Sequence, residues 1–378
     1  MARRRRTGAA TYIRDLQAAL AAANPPDLDI RFRHGPPGLP RRNRLTTMGN
    51  LVLDLAWHHV ALPLLARRDG ADLIHAPFNW APRWSTCPTV VTVQDLAWER
   101  VPDMFPAGFR RYARIFTRQR ARHAARVITT SVSTARDLTA IYGIRPERLR
   151  TVPIGIPPDA SPTNLPRENF VLAVGEFEPR KRMPELIAGH RAYFHAAAAA
   201  DLAPCRLVLA GAGGRDEEEV RATVGPECDL LGFVDTDTLA GLYRRATLLI
   251  YPSSYEGFGL PILEAMGHGC PALIARNSSL PEVGGDAALY IDEPTADGIA
   301  RALTETLADR AALAARGEAS RAHVAQFDWS HVAEQTLAVY REAMRGRGCA
   351  STATCWDSHT PVTRGTLAST RCSPIRST

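Results

Sequence analysis

The 378-residue chain lacks an apolar run of the roughly 20 residues that a membrane-spanning helix needs. It also lacks a Cys-x-x-Cys pair, and its seven cysteines are scattered and odd in number, so neither a disulfide framework nor a zinc site is expected. His58, His59 and His75 have no carboxylate or cysteine at ligand spacing, which predicts that no metal is bound. The basic residues 3–6 are not followed by the apolar core of a signal peptide. These absences predict a cytoplasmic protein.

Lysine is nearly absent too, because Lys181 is the only lysine among 46 basic residues. Its survival in a chain that uses arginine everywhere else marks it as a candidate functional residue. The charge is unevenly distributed: residues 1–160 contain 25 arginines and 12 acidic residues, whereas residues 161–378 contain 21 basic and 27 acidic residues. This asymmetry predicts that the two halves have different partners, and that the basic half faces something anionic.

Short β-branched runs alternate with helical patterns in two series, which predicts an α/β protein. The runs in the first series are 72–75, 89–93 and 126–130, and those in the second are 170–175, 206–211, 248–251 and 272–274. We therefore expect two doubly wound, Rossmann-like domains, residues 1–160 and 161–328. A helix over residues 329–345 follows, and the Ser- and Thr-rich residues 346–378 predict a disordered tail. The first domain lacks the buried strand with which such domains begin.

The string Tyr255-Glu-Gly-Phe-Gly-Leu-Pro-Ile-Leu-Glu-Ala-Met266 follows a predicted strand and leads into a helix. It places Gly257, Gly259 and free backbone N–H groups at a helix N-terminus, where anions bind. Glu256 and Glu264 lie on either side of this point. Carboxylates repel a phosphate, so these two are better suited to hydrogen bonds with the hydroxyls of a sugar or ribose. An ordinary glycine turn is the alternative interpretation.

A second string, Val174-Gly-Glu-Phe-Glu-Pro-Arg-Lys-Arg182, follows another predicted strand of the same domain. Open α/β sheets bind ligands at the carboxyl ends of their strands. Lys181 as a point charge and Arg180 or Arg182 as a fork could neutralise a diphosphate leaving group. The alternative is a solvated basic start of a helix.

The basic segment of residues 109–126 contains seven arginines, with Phe109, Tyr112, Phe116 and His123 near one helical face. One interpretation is an amphipathic helix that packs on its sheet and exposes a basic face. The other is contact with an anionic membrane or a lipid-diphosphate acceptor. Nucleic acid is not expected as a partner, because no aromatic-interleaved platform or recognition motif accompanies the charge.

Several strings in combination resemble the donor domain of the family 4 retaining glycosyltransferases, which have the GT-B fold. They are Gly175-x-x-Glu-Pro-Arg-Lys181, Leu209-Ala-Gly-x-Gly213, Leu231-Gly-Phe-Val234, the Tyr251–Met266 segment and Leu280-Pro-Glu-Val283. The first half agrees more loosely, through 72–75, Val91-Thr-Val-x-Asp95, 127–131 and Val152-Pro-x-Gly155. The resemblance implies two Rossmann-like domains facing across a cleft, with the terminal helix returning to the first domain.

The resemblance also implies roles for single residues. Lys181 matches the lysine that holds the donor diphosphate, Glu256 the carboxylate that contacts the donor sugar, and Glu264 the carboxylate that binds the nucleotide ribose. The remaining donor-binding matches are Gly8, Arg180, Phe233, Val234, Gly257, Phe258, Gly259 and Leu260. Gln94 and Asp95 are the candidates on the acceptor side. Gln94 stands where relatives commonly have histidine, and Glu176 where they commonly have arginine or threonine.

The expected reaction is the transfer of a sugar, with mannose as the family's habitual one, from a GDP- or UDP-sugar to a glycan or lipid-linked acceptor. The nucleotide sugar is a substrate, and no cofactor is expected. Retention of configuration in this family requires no metal and no protein nucleophile. Two alternatives remain open: another GT-B enzyme, such as a sugar-nucleotide epimerase or a phosphorylase, and a non-catalytic GT-B subunit. The protein is expected to work in the cytoplasm, with peripheral contact at the inner face of the plasma membrane as an option.

Overall fold

The computed structural model describes residues 8–36, 44–79, 81–157, 166–345 and 352–357. These residues form two six-stranded sheets whose strand pairs are all parallel. Helices connect the strands, which is the expected α/β architecture with two doubly wound domains. None of the described helices combines the length and the apolarity that crossing a bilayer requires.

Among the described residues up to Thr151, the N-terminal domain contains five strands and six α-helices. Its strands are β1 (Asp29–His34), β2 (Leu73–Ala76), β3 (Thr89–Val93), β4 (Arg126–Thr129) and β5 (Leu149–Thr151). Its helices are α1 (Gly8–Ala23), α2 (Arg44–Ala56), α3 (Leu62–Arg68), α4 (Ala97–Arg100), α5 (Ala107–His123) and α6 (Val132–Tyr142), with a π-helical turn at Trp57–Ala61. The buried strands β2, β3 and β4 pair side by side because their β-branched and aliphatic side chains are covered on both faces.

A strand from the far end of the chain completes this sheet. Strand β12 (Thr352–Asp357) lies between β1 and β2 and pairs in parallel with both, with Asp29 opposite Thr352 and Leu73 opposite Ala353. In a doubly wound sheet, a strand that preceded α1 would occupy this position. The expectation of a disordered tail is therefore wrong for residues 352–357, while the rest of the tail and residues 1–7 lie outside the described residues.

The C-terminal domain has the strand order β11-β10-β9-β6-β7-β8. Its strands are β6 (Glu168–Val174), β7 (Arg206–Ala210), β8 (Cys228–Gly232), β9 (Ala246–Tyr251), β10 (Ala272–Ala275) and β11 (Leu289–Ile291). Its helices are α7 (Met183–Ala199), α8 (Glu217–Thr223), α9 (Thr236–Arg245), α10 (Leu260–Gly267), α11 (Leu280–Gly284), α12 (Ala296–Ala308) and α13 (Arg310–Val324). Successive strands move outward first on one side of β6 and then, from β9, on the other.

The last helix, α14 (Trp329–Met344), packs against α1 and the N-terminal sheet. The hydroxyl of Tyr340 lies 2.7 Å from Nδ1 of the buried His75 on β2. Two residues further along the helix, Glu342 pairs with Arg126 and Arg150 of the N-terminal domain. The helix therefore ties the end of the C-terminal domain to the first domain.

Helix α5 buries a different face from the one that the sequence suggested. Its buried side chains are Ala113, Thr117, Arg120 and Ala121, whereas Phe109 is 41% exposed and His123 is exposed. The small residues face the sheet because they allow the helix to approach it closely, and the larger aromatic rings lie at the side. Arg120, expected on a solvated basic face, is only 4% exposed.

Candidate active site

The candidate site lies where the strand order of the C-terminal sheet reverses. Strands β6 and β9 are neighbours, and the connections that leave their carboxyl ends run in opposite directions. The residues 175–182 follow β6, and the residues 252–259 follow β9. Both segments therefore begin at the same crevice, which is the usual ligand site of an open α/β sheet.

Lys181, Arg180 and Glu256 meet in this crevice. The Lys181 Nζ lies 2.6 Å from Oε1 of Glu256, and an Arg180 guanidinium nitrogen lies 2.5 Å from Oε2 of the same carboxylate. Lys181 also donates to the hydroxyl of Tyr251 and lies 4.4 Å from the centre of its ring. Since Lys181 is 7% exposed and Glu256 8% exposed, two cations share one buried anion. The cluster thus carries one unbalanced positive charge.

Burial and charge shift the titration of this cluster in different directions. Burial lowers the pKa of Lys181 to about 8, with repulsion from Arg180 adding to burial and attraction to Glu256 opposing it. Burial alone would raise the pKa of Glu256, but the adjacent charges of Lys181 and Arg180 outweigh it and lower that pKa to about 2. Glu256 is therefore ionised near neutral pH, and Lys181 is the member of the cluster that titrates in the neutral to weakly basic range.

Two serines that the sequence analysis did not single out hold the Glu256 loop. Ser278 Oγ accepts a hydrogen bond from the Glu256 N–H at 3.0 Å, and Ser279 Oγ donates to the carbonyls of Glu256 and Phe258 at 2.9 and 2.8 Å. The loop then turns at Gly259, whose φ of 110° favours glycine, and α10 begins at Leu260 with Pro261 in its first turn. These bonds fix the loop so that the N-terminus of α10 faces the crevice.

Glu264 and Gly8 lie beside the crevice, on α10 and at the start of α1. Glu264 accepts a hydrogen bond from the Tyr243 hydroxyl at 2.9 Å. Burial raises its pKa, and the nearby Asp15 on α1 adds to that rise. Helix α1 begins at Gly8, where a Cβ atom would lie 3.9 Å from Cδ1 of Leu260. The start of α1 therefore lies close to the start of α10, across the two domains.

Gln94 and Asp95 approach the site from the N-terminal domain. They follow β3, and a Cβ on Gly257 would lie 2.4 Å from the Gln94 carbonyl oxygen and 2.7 Å from Cβ of Asp95. Only glycine allows the two loops to come this close. Burial raises the pKa of Asp95, as do the nearby carboxylates Glu256 and Asp137. The structure thus brings the predicted acceptor-side residues against the predicted donor loop.

Polar contacts that the sequence analysis missed hold the two domains together at this point. The Tyr255 hydroxyl donates to Asp137 at 3.0 Å and accepts from the Leu96 N–H at 3.2 Å. Asp137, on α6, is buried and also receives Arg100 Nε at 2.8 Å. Local sequence gives no signal for this network, because its members come from α4, α6 and the β9–α10 loop.

Glu282 forms a second contact of this kind. Its two carboxylate oxygens accept hydrogen bonds from the backbone N–H groups of Val132 and Ser133, at 2.6 and 2.7 Å. These are the first two residues of α6, so a carboxylate from the C-terminal domain binds the positive end of a helix in the N-terminal domain. Glu282 was noted only as part of the Leu280-Pro-Glu-Val283 string.

Phe233 and Val234 lie just after β8, at the outer side of the crevice. Phe233 is 50% exposed, while Val234 is partly buried against the core. None of the hydrogen bonds recorded for the described residues links Phe233 or Val234 to the Lys181 cluster. This predicted donor-binding position therefore has an exposed aromatic ring that can stack on a ligand.

Two family models match the chain, one in each half. Residues 159–323 match the family model "Glycosyl transferases group 1", and residues 6–160 match the model "Glycosyltransferase Family 4". Together the two models cover both Rossmann-like domains without a gap between them. The chain belongs to the group 1 glycosyltransferases. Its two facing doubly wound domains are the GT-B fold, and the resemblance noted in the sequence is confirmed.

Curated relatives of this glycosyltransferase include the O-antigen chain mannosyltransferase B of Escherichia coli. The two are 29% identical over 303 residues, which cover 73% of this chain and 76% of the relative. The D-inositol 3-phosphate glycosyltransferase of Acidothermus cellulolyticus is 33% identical over 259 residues, which cover 61% of this chain and 56% of the relative. The chain thus spans just over half of the second protein. Both relatives are sugar transferases, and neither name favours an epimerase, a phosphorylase or a non-catalytic subunit.

Solved structures support the fold. Sucrose-phosphate synthase from Thermosynechococcus elongatus superposes with a TM-score of 0.67 at 22% identity, covering 89% of this chain and 93% of that one. Anabaena HepE in complex with UDP and glucose superposes with a TM-score of 0.55 at 17% identity, covering 86% and 80%. At these identities the match concerns the arrangement of the two domains.

Proposed function

We propose that this protein is a retaining, metal-independent hexosyltransferase that moves a sugar from a nucleoside diphosphate donor to a hydroxyl of a glycan or lipid-linked acceptor. Mannose from GDP-mannose is the proposed donor sugar. Support for mannose comes from the name of the Escherichia coli relative, and support for a nucleotide donor comes from the UDP bound to the Anabaena protein. The nucleotide sugar is a substrate, and no further cofactor is proposed.

The observation that carries this proposal is the convergence of Lys181 and Arg180 on Glu256 beside the N-terminus of α10. A donor diphosphate brings two negative charges to a buried cluster that has one unbalanced positive charge. We expect the diphosphate to replace Glu256 as the partner of the two cations, because charge-assisted hydrogen bonds to phosphate are strong. Glu256 is then free to accept hydrogen bonds from the sugar hydroxyls.

In the proposed reaction, the bond between the anomeric carbon and the diphosphate oxygen breaks, and a bond from the acceptor oxygen to the anomeric carbon forms on the same face. The proton of the acceptor hydroxyl passes to an oxygen of the departing diphosphate. Lys181, Arg180 and the N-terminus of α10 stabilise the negative charge that develops on the leaving group. A single well-placed donor of this kind contributes about 3–4 kcal/mol to the transition state.

The test is a transferase assay with a panel of donors, comprising GDP-mannose, UDP-glucose, UDP-N-acetylglucosamine and dTDP-rhamnose, on the wild type and Lys181→Ala. We expect one donor to react with retention, as read from the anomeric proton of the product, and Lys181→Ala to lower turnover at least ~100-fold. EDTA should leave the rate unchanged.

Arg182→Ala is the matched control, since it removes one positive charge from the next residue. The Arg182 guanidinium bonds to the carbonyl of Pro294 and lies 3.7 Å from Glu185, outside the cluster. A Lys181→Ala protein within threefold of the wild type would refute the role of Lys181. An inverted product would refute retention.

We extend the proposal to peripheral contact with anionic membrane through α5, at the inner face of the plasma membrane. Support comes from the seven arginines of residues 109–126 and from the exposed apolar side chains Phe109 and Ile115 among them. Co-sedimentation with vesicles that contain anionic lipid should exceed co-sedimentation with neutral vesicles, and equal binding would contradict this contact.

A further inference from the structure

A second cavity lies in the N-terminal domain, away from the Lys181 cluster. Its volume is about 590 Å³, which falls in the range of small-molecule sites. Helix α2, the π-helical turn after it, α5 and the loop between β2 and β3 form its walls. None of the residues of the candidate active site lines it.

The wall of this cavity has two parts. One part is apolar and consists of Val52, Leu55, Val60, Ile115 and Phe116. The other part is polar and consists of the cations Arg83 and Arg120 together with the imidazole of His59. Val52, Val60 and Ile115 are 57%, 52% and 43% exposed, so the apolar part continues onto the surface.

Arg120 is the most unusual member. It is 4% exposed, its Nε has no hydrogen-bond partner, and its one recorded hydrogen bond is a long one of 3.4 Å to the carbonyl of Pro82. The ion pairs recorded among the described residues include neither Arg120 nor Arg83. The Arg120 guanidinium carbon lies 5.8 Å from the centre of the Phe116 ring, which replaces only part of the hydration that a buried cation loses. The cavity therefore holds a cation that lacks its counterion.

His59 adds a neutral donor to this polar part. Its Nδ1 lies 3.3 Å from the backbone N–H of Arg83 and accepts from it, so the neutral ring carries its proton on Nε2. The ring stacks on Phe116, with the centroids 6.1 Å apart. Burial and the two arginines lower the pKa of His59, which keeps the ring neutral near pH 7.

We infer that this cavity binds the phosphate of a membrane lipid, with the phosphate against Arg83, Arg120 and His59 and the hydrocarbon chain along Val52, Val60 and Ile115. Two guanidinium forks and an imidazole N–H exceed what one carboxylate can accept, whereas a phosphate offers more oxygen acceptors and more charge. A free inorganic phosphate would leave the apolar part of the wall without a partner. The inference goes beyond sugar transfer, and its membrane setting rests on the proposed contact of α5.

The experiment is calorimetric titration of the full chain with farnesyl phosphate below its micelle concentration, with farnesol and inorganic phosphate as separate arms. We expect farnesyl phosphate to bind at one site, at least 10-fold more tightly than either of the other two. Arg83→Gln and Arg120→Gln should each weaken this binding at least 10-fold. Arg118→Gln removes the same charge from an exposed position of α5 that does not line the cavity, and should stay within twofold of the wild type.

Each other outcome overturns the inference in a distinct way. Equal affinity for farnesol and farnesyl phosphate would show that the cavity does not recognise the phosphate. Equal affinity for inorganic phosphate would show that it does not recognise the hydrocarbon chain. Equal loss of affinity in Arg83→Gln and Arg118→Gln would show that the ligand does not bind in this cavity. If Arg120→Gln does not fold, the exposed Arg83 decides the result. The rise in Tm on adding GDP-mannose is measured for the same proteins by scanning fluorimetry. A normal rise in Tm with GDP-mannose and no binding of farnesyl phosphate would overturn this inference and leave the proposed function intact. Loss of the GDP-mannose response in Arg83→Gln would show that the substitution disturbs the whole protein, and would also overturn the inference.

Discussion

The two domains have the same type of sheet but place their functional groups in different ways. The C-terminal domain supplies charged side chains from two short contiguous strings, residues 175–182 and 252–260, at one reversal of its sheet. The N-terminal domain supplies backbone groups, such as the Gln94 carbonyl and the first N–H groups of α6, and residues that are distant in sequence. A donor site can therefore be encoded locally, whereas the surface that faces it depends on tertiary structure.

The largest effect is expected when the anion of the Lys181 cluster in the C-terminal domain is removed. Glu256→Gln leaves the buried Lys181 and the half-buried Arg180 without their anion. The loss of one partner of a buried ion pair costs about 3–5 kcal/mol. We expect a clear fall in Tm by scanning fluorimetry. Because GDP supplies the missing negative charge, the rise in Tm on adding GDP should be larger in Glu256→Gln than in the wild type.

The control for that experiment is Glu293→Gln, which removes a glutamate of the same domain. Glu293 forms an exposed pair with Arg301 at 3.5 Å, so its loss should change the free energy of unfolding by less than about 1 kcal/mol. Equal GDP-induced shifts in the wild type and Glu256→Gln would show that the diphosphate does not take over the position of the carboxylate.

The next effect concerns the N-terminal sheet. Thr354→Pro places proline in the middle of β12, between β1 and β2, where it removes a backbone donor from the ladder. Leaving a buried backbone partner unsatisfied costs about 1–3 kcal/mol. We expect lower stability in urea unfolding, with an unchanged Tm response to GDP because the donor site lies in the other domain. Thr354→Val keeps the N–H group and should behave as the wild type does. Identical unfolding of the two variants would exclude β12 from the sheet.

The third prediction concerns the pH dependence of donor binding in the C-terminal domain. Burial lowers the pKa of Lys181 to about 8, so Lys181 binds the diphosphate as a cation below that pH and loses its charge above it. The donor Kd should therefore rise with pH, by up to tenfold per unit above about pH 8. Lys181→Arg stays charged over this range. A wild-type profile that is as flat as that of Lys181→Arg would contradict the assignment.

The smallest expected effect concerns the contact between the two domains at Glu282. Glu282→Gln weakens a charged contact with the N-terminus of α6, a change of about 1 kcal/mol. We expect kcat/KM to fall about fivefold, with an increased radius of gyration in solution and an unchanged Tm. An unchanged radius and rate would show that the contact between the two domains does not depend on Glu282.

Sequence reasoning located the Lys181–Glu256 contact because parallel strands end at a common edge. Each residue follows a recognisable buried strand, so their proximity follows from the topology alone. It did not find the contacts of Asp137, Tyr255 and Glu282 between the two domains, since those contacts join residues that are 118 to 159 positions apart in the chain. No local pattern specifies a contact of that kind.

Two further features of the fold escaped prediction for different physical reasons. The segment Thr352–Asp357 alternates small polar and apolar residues too briefly to be distinguished from a tail, and its partners β1 and β2 lie at the other end of the sequence. On α5 the aromatic residues suggested the buried face, but Ala113, Thr117 and Ala121 are buried instead. A helix that lies close to a sheet requires small side chains at the contact, and a hydrophobicity pattern contains no information on side-chain size.

The position of β12 has a consequence for the order of events during synthesis. The N-terminal sheet pairs Asp29 with Thr352, so it cannot be completed until β12 has left the ribosome. At about 5–20 residues per second, the first five strands wait roughly 10–40 s for the sixth. Before that interval ends, all six strands of the C-terminal domain have been synthesised, because the last of them ends at Ile291. The domain translated second is therefore the first that can finish folding, and the nascent N-terminal half exposes two open strand edges to chaperones in the meantime.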